Sequence, residues 1–398
     1  MNLRQATIDD IDKILSLEAY CYGMGPDIPP IIRERFDLIF DEYYLVEDNG
    51  RILASARMIP YEQNIRGALK PMGGISMVSS NPETRRRGYS RKLMLYMIEK
   101  ANQIGLATMT LQPFKDTWYG ALGFVKTQPQ LTLEANPNQM KYWKCPPGYQ
   151  VERSKFSDGY EKFKIVHDTN AEIFHGAVRR SEKHWKERSI GNRSSLAIVL
   201  GEDGSQEGAL EYITKGYMDF GEGAEQGTMH IRSRIWFNSK ARNALFNFIY
   251  LHADQIVKVQ MRVYPGTDSY FQWLSNHNVI SLKGNLPVMV RCVNVKDALQ
   301  GLPISGEGEL KLQVVDSHCP WNSIGYLLRE ENGTLQVTET DEIASSQINI
   351  QGISSFLYGT LNVNELIDYG WLSGISTEDL ELLSNWFPTR YPWMAEQF

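Results

Sequence analysis

The chain has 398 residues, 42% of them hydrophobic and 22% charged, and a net charge of −6. That length exceeds one ordinary core and predicts two or three domains. The acidic balance argues against general nucleic-acid binding and favours a cationic partner or substrate. The start, MNLRQATIDD, lacks a signal-like apolar segment, and no run of about 18 apolar residues occurs, so no membrane association is expected and a cytoplasmic location is.

In chain order, Leu3 to Thr7 reads as a strand, and Asp9 and Asp10 offer N-caps to a helix carrying Ile11, Ile14, Leu15 and Leu17. The stretch Tyr20 to Pro30 is broken by Gly and Pro, and Tyr20 reads as a core aromatic. A second helix is predicted over Ile31 to Phe40. Strands Tyr43 to Glu47 and Ile52 to Met58 flank the hairpin turn Asp48-Asn49-Gly50. Ile75 to Ser80 is the next strand. It runs into Arg85-Arg86-Arg87-Gly88-Tyr89-Ser90, then a helix with Leu93, Met97 and Ala101 on one stripe. Ala107 to Gln112 is a further strand.

Asn136-Pro137-Asn138 and Pro146-Pro147-Gly148 mark a domain boundary near residue 145. Beyond it a helix is predicted to carry Phe174, Val178, Glu182 and Trp185. Strands Ser195 to Leu200, Gly208 to Thr214 and Met229 to Phe237 follow, then a helix Ala241 to Ala253 and a strand Val257 to Tyr264. A third segment starts at Pro287, where a strand runs into a helix. A meander of Leu310 to Val315, Ile324 to Glu330 and Leu335 to Glu339 follows, with Asn332-Gly333 as a turn. Helices near Ile353 to Tyr358, Asn364 to Tyr369 and Thr377 to Trp386 close it. The domains are thus 1–145, 146–286 and 287–398. Periodicity alone assigns a mixed α/β class.

The strand, basic loop and helix around Gly88 form an anion site in outline. A glycine turn opening a helix aims backbone N–H groups at one point, and three arginines add charge and bidentate donors. An arginine run alone is as often a solvated face. The spacing fits neither a mononucleotide P-loop nor a dinucleotide fingerprint. It resembles the pyrophosphate loop of the GNAT N-acetyltransferases, [QR]-x-x-G-x-[GA], with Arg85, Gly88 and Ser90 in the three defining places. Ser90 is bulkier than the family prefers. Trp118-Tyr119-Gly120-Ala121-Leu122-Gly123-Phe124 resembles the later motif of the same superfamily. The order of elements over the whole chain is similar to the Eis (enhanced intracellular survival) family. That resemblance implies tandem GNAT-like domains, the second degenerate, followed by a sterol carrier protein-like α+β domain. In the second domain the loop position reads Phe237 to Arg242 and has no glycine turn.

The resemblance implies acetyl-CoA as cosubstrate, held by Met77, Val78, Ser79, Ser80, Arg85, Arg86, Arg87, Gly88, Tyr89 and Ser90. It also implies Tyr119 as general acid and a homo-oligomer, a hexamer in this family. Without the motif, Tyr119 would read as a core aromatic. The general base is less legible. Residues 1–150 contain no histidine, and His175, His184 and His318 read as surface or structural groups. Asp27, Glu34 and Asp116 read as solvated carboxylates. The resemblance points to the α-carboxylate of Phe398. Tyr22, Asp27 and Phe36 are candidate walls of a substrate pocket, Asp27 holding a cation. The four cysteines, Cys21, Cys145, Cys292 and Cys319, have no metal or redox spacing, and no metal is expected. Two functions follow: acetyl transfer to a primary amine of an aminoglycoside-like polyamine or a lysine side chain, or non-catalytic amphiphile binding by the third domain.

Overall fold

A computed structural model describes residues 1–25, 28–216, 227–276 and 281–396. The chain divides into two compact units. One comprises Met1–Gln128, Phe174–Lys183 and Pro287–Phe398, and the other Pro129–Ile173 and His184–Leu286.

The first unit contains two sheets. Its larger sheet is ordered β1 (Asn2–Gln5), β2 (Tyr43–Asp48), β3 (Arg51–Ile65), β4 (Ala68–Ser80), β5 (Thr108–Leu111), the strand Met289–Cys292, and β6 (Val125–Lys126). The helices are α1 (Ile11–Tyr22), α2 (Pro30–Ile39), α3 (Tyr89–Gln103) and α4 (Asp116–Gly120). Helix α3 buries Leu93, Met94, Met97, Ile98 and Ala101 against Ala54, Ala56 and Met58 of β3 and Ile75 of β4, the stripe its 3.6-residue period requires. Helix α1 buries Ile11, Ile14 and Leu15 with Phe36 of α2 and Leu45 of β2.

β3 and β4 are far longer than the sequence indicates. They pair from Ala54↔Ser80 to Ile65↔Ala68, so residues 59–74 are strand and turn where none was expected. Pro60, Pro71, Glu62 and Lys70 conceal the pattern. The tip of this hairpin stays on the edge, where Gln63 pairs with Val178 and Glu62 with Arg179.

The smaller sheet is ordered Thr334–Thr340, Gly325–Glu331, Glu309–Val315, Gln347–Asn349, Leu372–Ser373. The helix Ile350–Tyr358 packs between it and the larger sheet, with Ile353, Phe356 and Leu357 in one core with Val290 and Leu312. This core explains why Arg291 is tolerated inside the unit. Its guanidinium pairs with the Asp316 carboxylate at 2.8 Å and donates to the Leu122 carbonyl at 2.7 Å, so its charge and its two terminal nitrogens are answered.

The second unit is a single sheet ordered Ser281–Gly284, Leu131–Ala135, Lys258–Val263, Thr228–Trp236, Gln206–Lys215, Ser195–Leu200, Gln150–Lys155. Three expectations are corrected here. Leu131–Ala135 belongs to this sheet rather than to the first, so the Pro-rich signals near residue 145 follow the crossing point instead of marking it. Met289–Cys292 belongs to the first sheet rather than to a third domain. The helix expected around Phe174 and Val178 is instead Phe156–Ile173, followed by the short strand Val178–Arg179 and the helix Glu182–Ser189. Gly159 and a polar face hid that 18-residue helix.

Candidate active site

β4 pairs in parallel with β5 from Met72↔Thr108 to Ile75↔Leu111 and no further. β4 itself continues to Ser80. Beyond Ile75 its β5-facing edge therefore has no strand partner, and the two strands part. At the same point β4 bulges. Ser55 pairs with Ser79 and Arg57 with Ser76, so Met77 and Val78 together face one residue of β3. Met77 takes φ = 53°, a left-handed value that a β-strand residue with a side chain adopts only under constraint.

The opening is a cleft of about 890 Å³. One wall is the parted edge of β4, with Ser76, Met77, Val78 and Ser80. The opposite wall is Gln112 to Lys115 with Trp118 and Tyr119. Cys21 and Tyr22 of α1 close one side, and Arg85, Arg86 and Ser90 form the basic end, next to Cys21. The Tyr22 hydroxyl donates to the Val78 carbonyl at 3.2 Å, fixing the bulge to α1. Burial pushes the Tyr22 phenol up to about 12.

At the basic end, Gly88 has φ = 81° and is the N-cap of α3, with no side chain claiming the first-turn amides. Space above it is open: a Cβ built there meets nothing within 4 Å. Ser80 and Ser90 join their hydroxyls across the loop, and Arg85 reaches the Cys21 sulfur at 3.7 Å. The residues present thus fit a phosphate-bearing, strand-like ligand: free amides and cations at one end, an unpaired strand edge along the middle.

Tyr119 sits at the other end of that edge. It is 2% exposed and packed edge-on against Trp118 at 4.7 Å, Phe114 at 5.4 Å and Phe124 at 6.0 Å. Burial, with a smaller effect from Tyr22, holds its phenol well above the usual tyrosine range. It stays protonated at any physiological pH, so its hydroxyl is available as an acid.

Of the residues expected here, Met77, Val78, Ser80, Arg85, Arg86, Ser90, Tyr22 and Tyr119 converge on the cleft. Ser79 is buried and does not line the cleft, its backbone pairing with Ser55. Arg87 and Gly88 are exposed on the outer part of the loop, and Tyr89 packs on the core. Phe36 does not line the cleft. It is buried and stacks on Tyr43 at 5.1 Å, because α2 turns its apolar face inward. Tyr20, expected in the core, is 65% exposed. Asp27 and Phe398 lie outside the described residues. Among the histidines, His175 is buried and held down at about pKa 3 by desolvation. It accepts from the Arg66 amide at 3.0 Å and faces the Tyr358 carbonyl at 3.2 Å. His318 is half-buried, with Nε2 at 2.9 Å from the Ala121 carbonyl. Residues the sequence did not single out are Cys21, Gln112, Phe114 and Lys115. Gln112-Pro113-Phe114 directly after a strand end was the available signal.

The second unit has the same parallel strand pair, Thr228↔Lys258 to Ile231↔Met261. There the opening is filled. Arg234 donates to the Arg262 carbonyl at 2.8 Å, pairs with Asp268, and lies over the rings of Trp236, Tyr264 and Trp273. The following helix, Ser239–Tyr250, is capped by Asn238, which accepts from the Ala241 amide at 2.8 Å. Its first-turn donors are already partly used.

Family models agree with this layout. Models of the acetyltransferase (GNAT) domain match residues 2–126 and 176–291, and a model of the sterol carrier protein domain matches residues 295–395. The chain is an acyltransferase built on GNAT domains. An uncharacterized N-acetyltransferase of Streptomyces avermitilis is 20% identical over 83% of each chain. The crystal structure of a GCN5-related N-acetyltransferase from Anabaena variabilis superposes with a TM-score of 0.87 at 20% identity, covering all of both chains. Eis1 from Mycobacterium abscessus superposes with a TM-score of 0.80 at 14% identity, also over all of both chains. At these identities the structures establish a shared fold, and this GNAT protein is Eis-like in architecture. Among the described residues no group of three or more His, Cys, Asp or Glu side chains could hold a metal, and no helix is long and apolar enough to cross a membrane.

Proposed function

We propose that this GNAT protein moves an acetyl group from acetyl-CoA to a primary amine of a cationic acceptor, a polyamine or a lysine side chain. The observation that carries the reading is the free edge of β4 beyond Ile75, which runs between the Gly88 loop and Tyr119 inside one cleft. Acetyl-CoA supplies an activated acyl group. The parted β4 edge offers backbone groups for an extended chain to pair with, and one of its amides suits the thioester carbonyl. Arg85 and Arg86, with the amides of Gly88, Tyr89 and Ser90, answer the pyrophosphate; Arg87 adds long-range charge.

The acceptor enters as an ammonium and must lose a proton before attack. In this reading the Phe398 α-carboxylate, ordinarily near pKa 3.5, attracts the ammonium and takes that proton through water. Tyr119 protonates the departing thiolate. The tyrosinate so formed is a strong base and recovers a proton as the amide product sheds its own. The balance is one amine and one thioester in, one amide and one thiol out, with the ammonium proton released.

Thiol release from acetyl-CoA, followed with a panel of amines, tests the reading. Turnover of diamines or lysine peptides in preference to anionic amines is expected; preference for anionic amines overturns the cationic part. Two glycines added after Phe398 test its role. Wild-type turnover of that chain would remove the terminal carboxylate from the mechanism.

A further inference from the structure

Glu18 is an ionisable group beside the cleft that acetyl transfer as described leaves unused. It lies on α1 one turn before Tyr22 and is 0% exposed. Neither carboxyl oxygen has a hydrogen-bond partner of ordinary geometry. It continues the stripe of Ile11 and Ile14, where an aliphatic side chain would bury without cost and a bare carboxyl does not.

The groups facing Glu18 come from two strands and from its own helix. Tyr43 on β2 and Arg57 on β3 both favour its ionised form, and Tyr22 on its own helix feels its charge. Arg57 is already engaged by Glu42, at 2.7 and 2.9 Å, and Glu42 also takes Lys183 at 2.9 Å. Desolvation outweighs these attractions and pushes Glu18 up to about 8, so the carboxyl keeps its proton at neutral pH.

Residues 18, 21 and 22 share one side of α1. Cys21 and Tyr22 line the cleft, and Tyr22 reaches the Val78 carbonyl at the bulge. Glu18 therefore stands just behind the wall that closes the cleft. We propose that Glu18 is a positioning residue for the acceptor amine, providing a carboxylate charge behind the Tyr22 wall when a cation occupies the cleft. This rests on the cationic-acceptor reading above.

The physical logic is a charge exchange. With the cleft empty, an ionised Glu18 would be an unpaired buried charge, so the neutral acid is preferred. An ammonium on the far side of the Tyr22 wall supplies the missing counter-charge, the Glu18 proton leaves for solvent, and the net charge of the site is unchanged. Acceptor capture is thereby coupled to release of one proton and tightens as pH rises through the range in which Glu18 titrates.

The test uses the full chain at saturating acetyl-CoA with 1,5-diaminopentane, benzylamine and L-glutamate as acceptors. The expected result is a KM for the diamine that falls about tenfold between about pH 6.5 and about pH 8.5 in the wild type. It should change less than about twofold in Glu18→Gln. Glu18→Asp should keep a slope, and the KM for acetyl-CoA should match in all three. Equal diamine slopes in wild type and Glu18→Gln overturn this proposal alone. Turnover of L-glutamate but of neither cation, or of no amine at all, overturns the cationic-acceptor reading and this proposal together. Should Glu18→Gln fail to fold, titration calorimetry of the wild type with the diamine at neutral pH, in two buffers of different ionisation enthalpy, decides the matter. Release of about one proton per amine supports the coupling and release of none overturns it.

Discussion

Ile75 and Leu111 form the last rung between β4 and β5, and every residue assigned to acetyl-CoA on β4 lies beyond it. The rung thus separates a paired half of the sheet, which is scaffold, from a parted half, which is site. The second unit repeats the parallel pair but fills the parted half with Arg234.

Gly88→Val should weaken acetyl-CoA binding at least about tenfold while the chain stays folded. A β-branched residue at φ = 81° is strained by roughly 1–2 kcal/mol. The space its side chain would enter is open to a ligand and otherwise empty. Calorimetric titration against thermal melting separates the two effects. A variant with unchanged affinity would show that the loop holds no pyrophosphate.

Tyr119→Phe should lower kcat by about 10²–10⁴-fold and leave the melting temperature close to wild type. The ring contacts with Trp118, Phe114 and Phe124 survive, and only the hydroxyl goes. Steady-state kinetics beside a thermal melt provides the check. An unchanged kcat would leave Tyr119 as a core aromatic.

One acetyl-CoA should bind per chain. Asn238 occupies an amide that Gly88 leaves free, and Arg234 sits where the second unit's strands would otherwise part. Calorimetry reads the stoichiometry directly, and a value near two contradicts it.

Glu18→Gln should be stabilising, and increasingly so toward alkaline pH. The folded pKa of about 8 lies above the ordinary value of 4.5. Below 4.5 both states hold the proton, and the carboxyl costs nothing extra. Between 4.5 and 8 the unfolded chain releases it and the native chain keeps it, so wild-type stability falls as pH rises. The melting temperature of the variant should match wild type near about pH 4 and exceed it by about several degrees near about pH 8. Parallel curves would place Glu18 in a more polar setting than the fold gives it.

Much of the site was legible because it is local. The strand, the Gly88 turn, the α3 stripe and Tyr119 fall within about fifty consecutive residues, and each obeys a periodicity or turn rule. What was missed depends on long-range pairing. Met289–Cys292 reads as a strand in any context, and nothing in VMVRC states that its neighbours are Thr108–Leu111 and Val125–Lys126. Phe36 is core where a cleft wall was expected, and Tyr20 is exposed where core was expected, because the apolar stripe of each helix and not the residue type fixes the buried side. Glu18 escaped notice because one carboxylate in a helix of alternating polarity has no sequence signature. Only the desolvation around it is unusual.

The insertion of Met289–Cys292 between β5 and β6 has a consequence for how the protein can be made. During synthesis the first 128 residues emerge with a gap where a central strand belongs, and about 160 more must follow before it is filled. β6 meets its neighbour only through that late strand. A fragment ending near residue 145 should therefore expose Val125 and the unpaired edge of β5, and aggregate rather than act as a minimal enzyme. Catalytic competence of this chain should therefore arrive late on the ribosome, once most of the polypeptide has emerged.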